Sequence, residues 1–487
     1  MKLHFTLLDW GVVLLYFLLV VFLSWKESWQ DQDEKEFLLS GRKMTLPAFV
    51  ATLVSTWYGG ILGVGEYSYQ FGISEWLILG FPFYVFSAIF AWFLAGKIRQ
   101  NKALSLPEAI GDFYGENAGR ISAIPIFILV SPAPYLLMLG LIFQYLTGSS
   151  GHFLIYAAGV AFFSVLYISF GGFSAVTRTD ELQVILMYVG FILLLVFAWA
   201  DFGSLGKLWQ TVPANYRKIT GGRSLQYILV WFFIALWTFV DPSFHQRAAA
   251  AKTPKTAQRG ILISIVMWTC FDFLTAFGGM YGWAILGGHL SKPLMVYPYL
   301  GNKILPMGIR GLFFVAMLAT IMSTLDSYLF LSGQTLGRDL LVKLFPNQSN
   351  NLLTRISVVI AAIFGIFLVY VIGQSVINLW YVIGSVMIPG LLIPVLGVYF
   401  RLFTLKKAWV LPTMIGSILV SLVWLALGYS NSEAYSYSFL GIQPFYPGLF
   451  VSIVFWIFGR ARRENLFGET AFTKEKLEQD TRIEEKV

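Results

Sequence analysis

Long apolar runs without a single charged residue constrain this chain more than any other feature of its sequence. Three such runs, at 44–65, 76–96 and 434–459, each fit one crossing of a bilayer, which takes about 20 apolar residues in a helix. Two others, at 121–177 and 356–400, are too long for one crossing and are predicted to form two helices each. The chain is therefore predicted to be an all-α membrane protein with about thirteen transmembrane helices.

The composition excludes several classes of protein. Charged residues make up 12% of the 487 residues, whereas about 25% is usual in soluble domains, so lipid must cover much of the surface. No polar region is long enough for a nucleotide-binding or soluble catalytic domain, and the glycine-rich stretch 59–65 has no strand before it. We predict that the chain is not an enzyme, binds no nucleic acid and needs no organic cofactor. Its only cysteine, Cys270, excludes a disulfide framework or a cysteine-based metal site.

The apolar runs and the polar turns between them give approximate bounds for every span. The predicted spans lie near 8–25, 46–73, 76–97, 119–147, 152–174, 179–201, 226–248, 258–286, 309–336, 355–373, 376–401, 408–428 and 445–459.

Lysine and arginine residues follow an alternating pattern along these spans. They cluster in every second connection, at 97–120, 247–259 (with Arg247), 338–355, 401–407 and 460–463. Because cytoplasmic loops of membrane proteins carry the excess of positive charge, this side is predicted to be cytoplasmic. The N-terminus is then outside and the C-terminus inside the plasma membrane. The predicted external loop 202–225, which carries four basic residues, is the main exception.

The spans fall into two blocks of five with additional helices at both ends. The predicted organisation is an extra N-terminal helix and cytoplasmic loop (1–45), a first repeat (46–201), an external loop (202–225), a second repeat (226–401), two C-terminal helices (402–459) and a charged cytoplasmic tail (460–487).

The first span of each block carries residues that interrupt a helix. In the first block, Gly59 and Gly60 follow the hydroxyl residues Ser55 and Thr56 in mid-membrane. An unwound turn there would free carbonyl oxygens, which are ligands for a hard cation, while close packing of small residues explains the glycines equally well. In the second block the interruption is the segment 237–243, which contains Asp241 and a proline. A helix that simply ends at the cytoplasmic face is the alternative there, but the corresponding positions of the two breaks favour a shared cavity.

A third polar feature lies in the span near 309–336. Thr320, Ser323, Thr324 and Ser327 recur at intervals of three and four residues and therefore share one face of a helix, with Asp326 beside them. Bonding of the hydroxyls to the preceding turn explains isolated residues of this kind. It does not explain the carboxylate, because a charged residue within a membrane is costly and points to function. Oxygen ligands of this kind predict a site for a hard cation.

Four segments of the chain, in this order, are typical of one family of transporters. They are the entry segment 37–42, the Gly-Gly and Thr-Asp segment 171–183, the Asp-Pro and Gln-Arg segment 241–260, and the signature helix with Met322-Ser323-Thr324 and Arg338-Asp339. Together they resemble the sodium:solute symporter family, which includes sodium/proline, sodium/pantothenate and sodium/sugar cotransporters. The resemblance covers residues 37–401. It implies a leucine-transporter-like fold with five-plus-five inverted repeats and broken helices.

The resemblance also implies a sodium site. In this family two backbone carbonyls of the first broken helix, here those of Leu53 and Thr56, act with groups of the signature helix, here Thr320, Ser323 and Thr324. Some members hold a second sodium ion, for which the matching residues are Asp180, Ser323 and Ser327. Asp326 stands where such a member has another hydroxyl, and it either strengthens the second site or turns away. Na+ is the only metal ion that the resemblance implies, and it acts as the coupling ion.

The solute is less constrained than the ion. Residues predicted by position to line the cavity include more acids than bases, so a neutral, zwitterionic or cationic small organic solute is favoured, and a monocarboxylate stays open. The resemblance implies sodium-coupled symport of this solute by alternating access. A proton-coupled carrier, with Asp180 or Asp326 as proton site, and a sensor without transport are the alternatives. The predicted cavity residues are Trp57, Tyr58, Gly60, Glu66, Trp237, Phe239, Asp241 and Tyr381.

Overall fold

A computed structural model describes residues 3–28, 34–148, 151–345, 347–372, 375–429, 432–433 and 436–461. The predicted charged tail, 460–487, lies outside the described residues except for Arg460 and Ala461.

The described residues are almost entirely helical. The α-helices are α1 (Leu7–Ser28), α2 (Glu34–Leu39), α3 (Leu46–Trp57), α4 (Ile61–Phe71), α5 (Phe81–Phe93), α6 (Ala95–Gln100), α7 (Leu106–Tyr114), α8 (Glu116–Leu129), α9 (Ala133–Thr147), α10 (Phe153–Phe202), α11 (Leu205–Thr211), α12 (Leu225–Ile234), α13 (Trp237–Val240), α14 (Pro242–Ala250), α15 (Pro254–Leu286), α16 (Val296–Ile304), α17 (Ile309–Gln334), α18 (Asn350–Ile372), α19 (Val376–Tyr399), α20 (Lys407–Gly428) and α21 (Phe445–Gly459). Two short strands, β1 (Ser432–Glu433) and β2 (Ser436–Tyr437), form an antiparallel pair between α20 and α21.

The lengths and apolar character of these helices confirm the predicted all-α membrane protein. Within the described residues, 11 helical segments are long and apolar enough to cross a membrane, and Phe153–Ser169 and Phe445–Gly459 are shorter apolar helices. Together they correspond to the thirteen spans expected from the sequence. Short turns of 3-10 helix (Ser40–Arg42, Tyr58–Gly60, Ala214–Arg217, Pro293–Met295, Leu341–Lys343 and Arg401–Phe403) and π-helix (Trp76–Gly80 and Thr335–Leu340) connect or end several segments.

The first predicted break lies between α3 and α4. The α-helix ends at Trp57, a 3-10 turn covers Tyr58–Gly60, and a new helix begins at Ile61. Glycine is required here by close packing: a Cβ atom on Gly59 would lie 2.0 Å from Oγ1 of Thr324, and one on Gly60 would lie 1.7 Å from the ring of Trp380. The turn is therefore pressed directly against the helices that face it.

The second predicted break separates α13 from α14. Asp241 has an extended backbone (φ −73°, ψ 114°), and its carboxylate accepts a hydrogen bond of 2.8 Å from the backbone N–H of Ser243. Pro242 occupies the first position of α14, where its missing N–H costs nothing. The chain continues directly into α14, and every residue of α14 is buried. The local sequence therefore produces a true interruption inside the bundle.

Two spans differ in detail from the sequence prediction. The predicted span 119–147 is divided into α8 and α9 at Ser131 and Pro132. The predicted spans 152–174 and 179–201 follow each other directly in α10, where the chain changes direction at Gly172 (φ 59°, ψ −154°). That positive φ is accessible to glycine at little cost.

The helix α17 forms the centre of the bundle. Nearly all of its side chains are buried, and it contacts α1, α3, α9, α10 and the broken turn Tyr58–Gly60. Contacts near the ends of helices join segments predicted to lie on the same side of the membrane. Asp9 forms an ion pair with Arg310 (3.1 Å), and Met44 forms an isolated parallel β-bridge with Ala251. This arrangement agrees with the alternation of the spans.

The bend at Gly172 leads to a stability prediction. A Cβ atom at this position would lie 2.8 Å from the carbonyl oxygen of Phe37, and the positive φ costs other residues about 1–2 kcal/mol. We therefore expect Gly172→Ala to lower the melting temperature of the purified protein in detergent by several degrees. Gly159→Ala, on the same helix with nothing within 4 Å of its Cβ position, is the control and should leave the melting temperature unchanged or higher. Equal melting temperatures for the two variants would contradict the steric argument.

Candidate sodium and solute sites

Hydroxyl groups of α17 meet the end of α3 beside the first break. Thr324 donates a hydrogen bond of 2.7 Å from Oγ1 to the carbonyl oxygen of Thr56, and Ser323 Oγ lies 2.9 Å from Oγ of Ser55. The carbonyl of Thr56 is available because α3 ends one residue later and the last carbonyls of a helix have no partner within it. The packing of these two helices thus places the predicted oxygen ligands in direct contact.

The remaining predicted ligands lie on the same two helices. Leu53 is buried one turn before Thr56. Thr320 donates its own hydroxyl to the carbonyl of Ala316 (2.7 Å), while its carbonyl oxygen lies 3.5 Å from Oγ1 of Thr324. Carbonyl and hydroxyl oxygens are the ligands that hard cations prefer. The group therefore suits Na+ as a transported ion.

The acid Asp180 lies immediately behind this group. Ser323 donates to its Oδ1 at 2.6 Å, and Thr52 donates to its Oδ2. Ser327 approaches from the next turn of α17, with its Oγ 3.2 Å from Oγ1 of Thr56. Three of the four residues predicted for a second sodium ion are therefore linked through one network of short contacts.

Asp326 does not share those contacts. Its carboxylate accepts a hydrogen bond from the hydroxyl of Tyr167 on α10. Tyr167 was not singled out from the sequence, because a tyrosine in an apolar span carries no local sign of a partner on a distant helix.

Arg247 is a fully buried cation in the middle of this network. Its guanidinium donates to Oγ1 of Thr56 (2.6 Å) and to Oγ of Ser327 (2.9 Å) and lies 3.8 Å from the Asp180 carboxylate. Sequence analysis counted Arg247 among the basic residues of a cytoplasmic loop. The structure corrects that assignment, since the side chain has 0% exposure. The Gln-Arg pair after Asp241-Pro242 was the only available signal of its role.

A cavity of about 90 Å³ lies between the two broken helices. Its wall is largely aromatic, with three carboxylate side chains, and no lysine or arginine is among its described lining residues. The lining residues are Leu53, Thr56, Trp57, Tyr58, Gly60, Val64, Glu75, Leu79, Phe83, Tyr135, Trp231, Ile234, Trp237, Asp241, Ser243, Asp272, Tyr328 and Trp380.

Five of the eight predicted cavity residues belong to this wall: Trp57, Tyr58, Gly60, Trp237 and Asp241. The other three lie elsewhere. Glu66 is buried further along α4, and Phe239 packs against the rings of Phe86 and Phe90. Tyr381 points toward the loop before α21, where its hydroxyl donates to Oε1 of Gln443 (3.0 Å).

The structure also adds polar residues that sequence analysis did not assign to the cavity. Tyr328 donates to the second oxygen of Asp241 (3.0 Å), and Tyr58 lies 2.5 Å from Oδ1 of Asp272. Glu75 also lines the cavity, from the turn that precedes the π-helix Trp76–Gly80. Among the described residues no group of three or more His, Cys, Asp or Glu side chains could hold a metal ion.

Comparisons with known proteins place this geometry in a family. A model of the sodium:solute symporter family matches residues 37–416. The chain is 25% identical to the sodium/pantothenate symporter of Escherichia coli (strain K12) over 337 residues, which cover 66% of this chain and 68% of the relative. It is 23% identical to the osmoregulated proline transporter OpuE of Bacillus subtilis (strain 168) over 475 residues, which cover 90% and 92%.

The fold agrees with that assignment. A solved Na+-coupled sialic acid symporter superposes with a TM-score of 0.78 at 13% identity, and the match covers 94% of this chain and 97% of the other. The architecture is thus the leucine-transporter-like fold with broken helices expected above. The chain belongs to the sodium:solute symporter family and is a multi-pass membrane transporter that couples a small solute to Na+.

Proposed function

We propose that the coupling ion binds between the first broken helix and α17. The ligands are the carbonyl oxygens of Leu53, Thr56 and Thr320 and the hydroxyls of Ser323 and Thr324. The contact of Thr324 Oγ1 with the Thr56 carbonyl (2.7 Å) is the observation that carries this proposal. An ion that binds both helices stabilises one arrangement of them, which is how binding can favour the outward-open state.

Arg247 limits what the Asp180 region can bind. Its guanidinium already donates to Thr56 and Ser327, and its charge lies 3.8 Å from the Asp180 carboxylate. A second Na+ at Asp180, Ser323 and Ser327 would require that guanidinium to move, because two cations in one buried network repel each other. We therefore propose one Na+ per cycle at the primary site, with Asp326 outside the ion path.

The cavity wall supports a neutral, zwitterionic or cationic solute. It includes the carboxylates of Glu75, Asp241 and Asp272 and no basic side chain among the described lining residues. The relatives are named for pantothenate, proline and sialic acid, each of which bears a carboxylate. In this chain the N-terminus of α14, which could bind such a group, is already occupied by Asp241 through the N–H of Ser243.

The basic connections and the alternation of the spans support an orientation with the N-terminus outside and the C-terminus in the cytoplasm. Residues 46–201 and 226–401 are then two repeats of opposite orientation. Each begins with a broken helix that reaches the cavity from its own side. In the plasma membrane the potential contributes about 2.3 kcal/mol per charge per 100 mV to solute uptake with Na+.

Two substitutions test the sodium site. Thr324→Val and Ser323→Ala each remove one proposed hydroxyl ligand. A polar contact with a charged partner contributes about 1.5–3 kcal/mol to the binding free energy, so the half-saturating Na+ concentration should rise about tenfold or more. Sodium-dependent stabilisation of the purified protein against heating provides the measurement, because it requires no knowledge of the solute.

Thr413→Val is the matched control for Thr324→Val. Thr413 is also a buried helix residue, but its hydroxyl donates to the carbonyl of Trp409 on the peripheral helix α20. Its sodium dependence should equal that of the unmodified protein. Wild-type sodium dependence in both Ser323→Ala and Thr324→Val would refute the ligand assignment. If lower pH in the absence of Na+ instead raised the melting temperature or drove solute uptake, the proton-coupled alternative would be favoured.

The orientation can be tested with single cysteines. Cys270 is replaced by serine, and a cysteine is introduced at the exposed residue Lys218 or at the exposed residue Lys252. A membrane-impermeant maleimide should label Lys218→Cys in intact cells and Lys252→Cys only after permeabilisation. The reverse pattern would invert the proposed orientation.

A further inference from the structure

Two buried carboxylates, those of Glu75 and Asp272, line the same cavity. Asp9, Asp180 and Asp339 each have an arginine within 4.0 Å, whereas the ion pairs among the described residues include neither Glu75 nor Asp272. Glu75 has 0% exposure, and neither of its carboxylate oxygens accepts a hydrogen bond from the described residues. A buried group of this kind is costly unless something else satisfies it.

Backbone structure on both sides of Glu75 fixes its position beside the cavity. Gly72 turns the chain with a φ of 60°, and the N–H of Ile73 donates to the carbonyl of Tyr216 (3.0 Å). The π-helix Trp76–Gly80 begins at the next residue and packs against α15. The unpartnered carboxylate is therefore presented to the cavity by a fixed turn.

Asp272, on α15, also lines this cavity. Its Oδ1 lies 2.5 Å from the hydroxyl of Tyr58, while its Oδ2 faces the backbone of Gly80, where a Cβ atom would lie only 2.5 Å away. The Glu75 and Asp272 side chains line the same cavity. Two carboxylates that share a dry site cannot both be ionised unless a positive charge lies nearby.

The rest of the cavity suits an organic cation better than a bare metal ion. Trp57, Trp231, Trp237, Phe83 and Trp380 supply aromatic walls, which attract organic cations through their faces and cover apolar groups. A second Na+ would need several oxygen ligands at close range, and aromatic rings offer none. Both carboxylate oxygens of Glu75 lack a hydrogen-bond donor among the described residues. A cation that carries N–H groups would supply such donors as well as the positive charge.

We propose that Glu75 and Asp272 form the recognition site for a protonated primary or secondary amine of the transported solute. The inference rests on the proposed function, since it assumes that this cavity holds the solute. It narrows the solute class to small organic amines with an apolar or aromatic remainder. The ammonium group donates to both carboxylates, and the remainder lies against the tryptophan rings.

The test compares isosteric ligands on the full-length protein in detergent. Thermal stability is measured in NaCl and in KCl with phenethylamine, isoamylamine and proline, and with the uncharged analogues phenethyl alcohol and isoamyl alcohol. We expect an amine to raise the melting temperature in NaCl and its alcohol to leave it unchanged. This comparison uses the unmodified chain and so remains decisive if a variant fails to fold.

Two variants assign the effect to the carboxylates. Glu75→Gln and Asp272→Asn should each weaken amine binding by about tenfold or more, because each removes one partner of a buried charge. Both should keep the stabilising shift caused by Na+ alone. Glu116→Gln, which removes an exposed acid paired with Arg120, is the control and should leave the amine response unchanged.

The outcomes separate this inference from the proposed function. If Na+ stabilises the protein but amines act no better than their alcohols, the amine site is wrong and the sodium site stands. Loss of the Na+ shift in Glu75→Gln and Asp272→Asn, without any amine response, would show that these carboxylates bind Na+ and would overturn the inference. An amine response that persists in both variants would also overturn it. An amine shift without any Na+ shift would support the inference and refute the sodium coupling.

Discussion

The close approach of the first broken helix to α17 is the contact on which the rest of the site depends. Gly59 has no room for a side chain because Thr324 occupies the space, and the same threonine donates to the carbonyl of Thr56. A regular helix through this position would keep its carbonyls bonded to its own N–H groups, and nothing would be left for an ion. The break thus frees backbone carbonyls, which hydrocarbon tolerates only where the backbone faces protein or a cavity.

Buried charge is handled in two different ways on either side of that break. Behind it, Arg247 neutralises Asp180 and also satisfies the hydroxyls of Thr52, Thr56 and Ser327. In front of it, Asp241 has a helix N-terminus and a tyrosine hydroxyl as partners. Among the described residues, neither Glu75 nor Asp272 is in an ion pair, and the two carboxylate oxygens of Glu75 accept no hydrogen bond. Because an unpaired buried charge is destabilising, this pair is where we propose that the amine of the solute binds.

Much of the architecture was predictable because it follows from local patterns. Apolar runs of membrane length predicted the spans, and paired glycines or an Asp-Pro step predicted the two interruptions. The hydroxyls at intervals of three and four residues predicted one polar face on α17. Other features were missed for physical reasons. The segment 119–147 looked like one uniformly apolar run, so its division at Ser131 and Pro132 was not expected. Arg247 looked like a loop residue because further basic residues follow it at 252–259.

The sequence by itself determined that the chain crosses a membrane many times, where its helices break, which helix carries a face of hydroxyl residues and which family it resembles. Those properties depend on residue type and spacing within a single segment. Only the tertiary structure decided which buried acids meet a cation, since partners such as Asp180 and Arg247 lie on helices far apart in the chain. The tertiary structure also placed Glu75 and Asp272 in the wall of the cavity, whereas Glu66 and Tyr381 are not part of that wall. The physical reason is that charge pairing acts over a few ångströms, and only the packing of helices from different spans sets those distances.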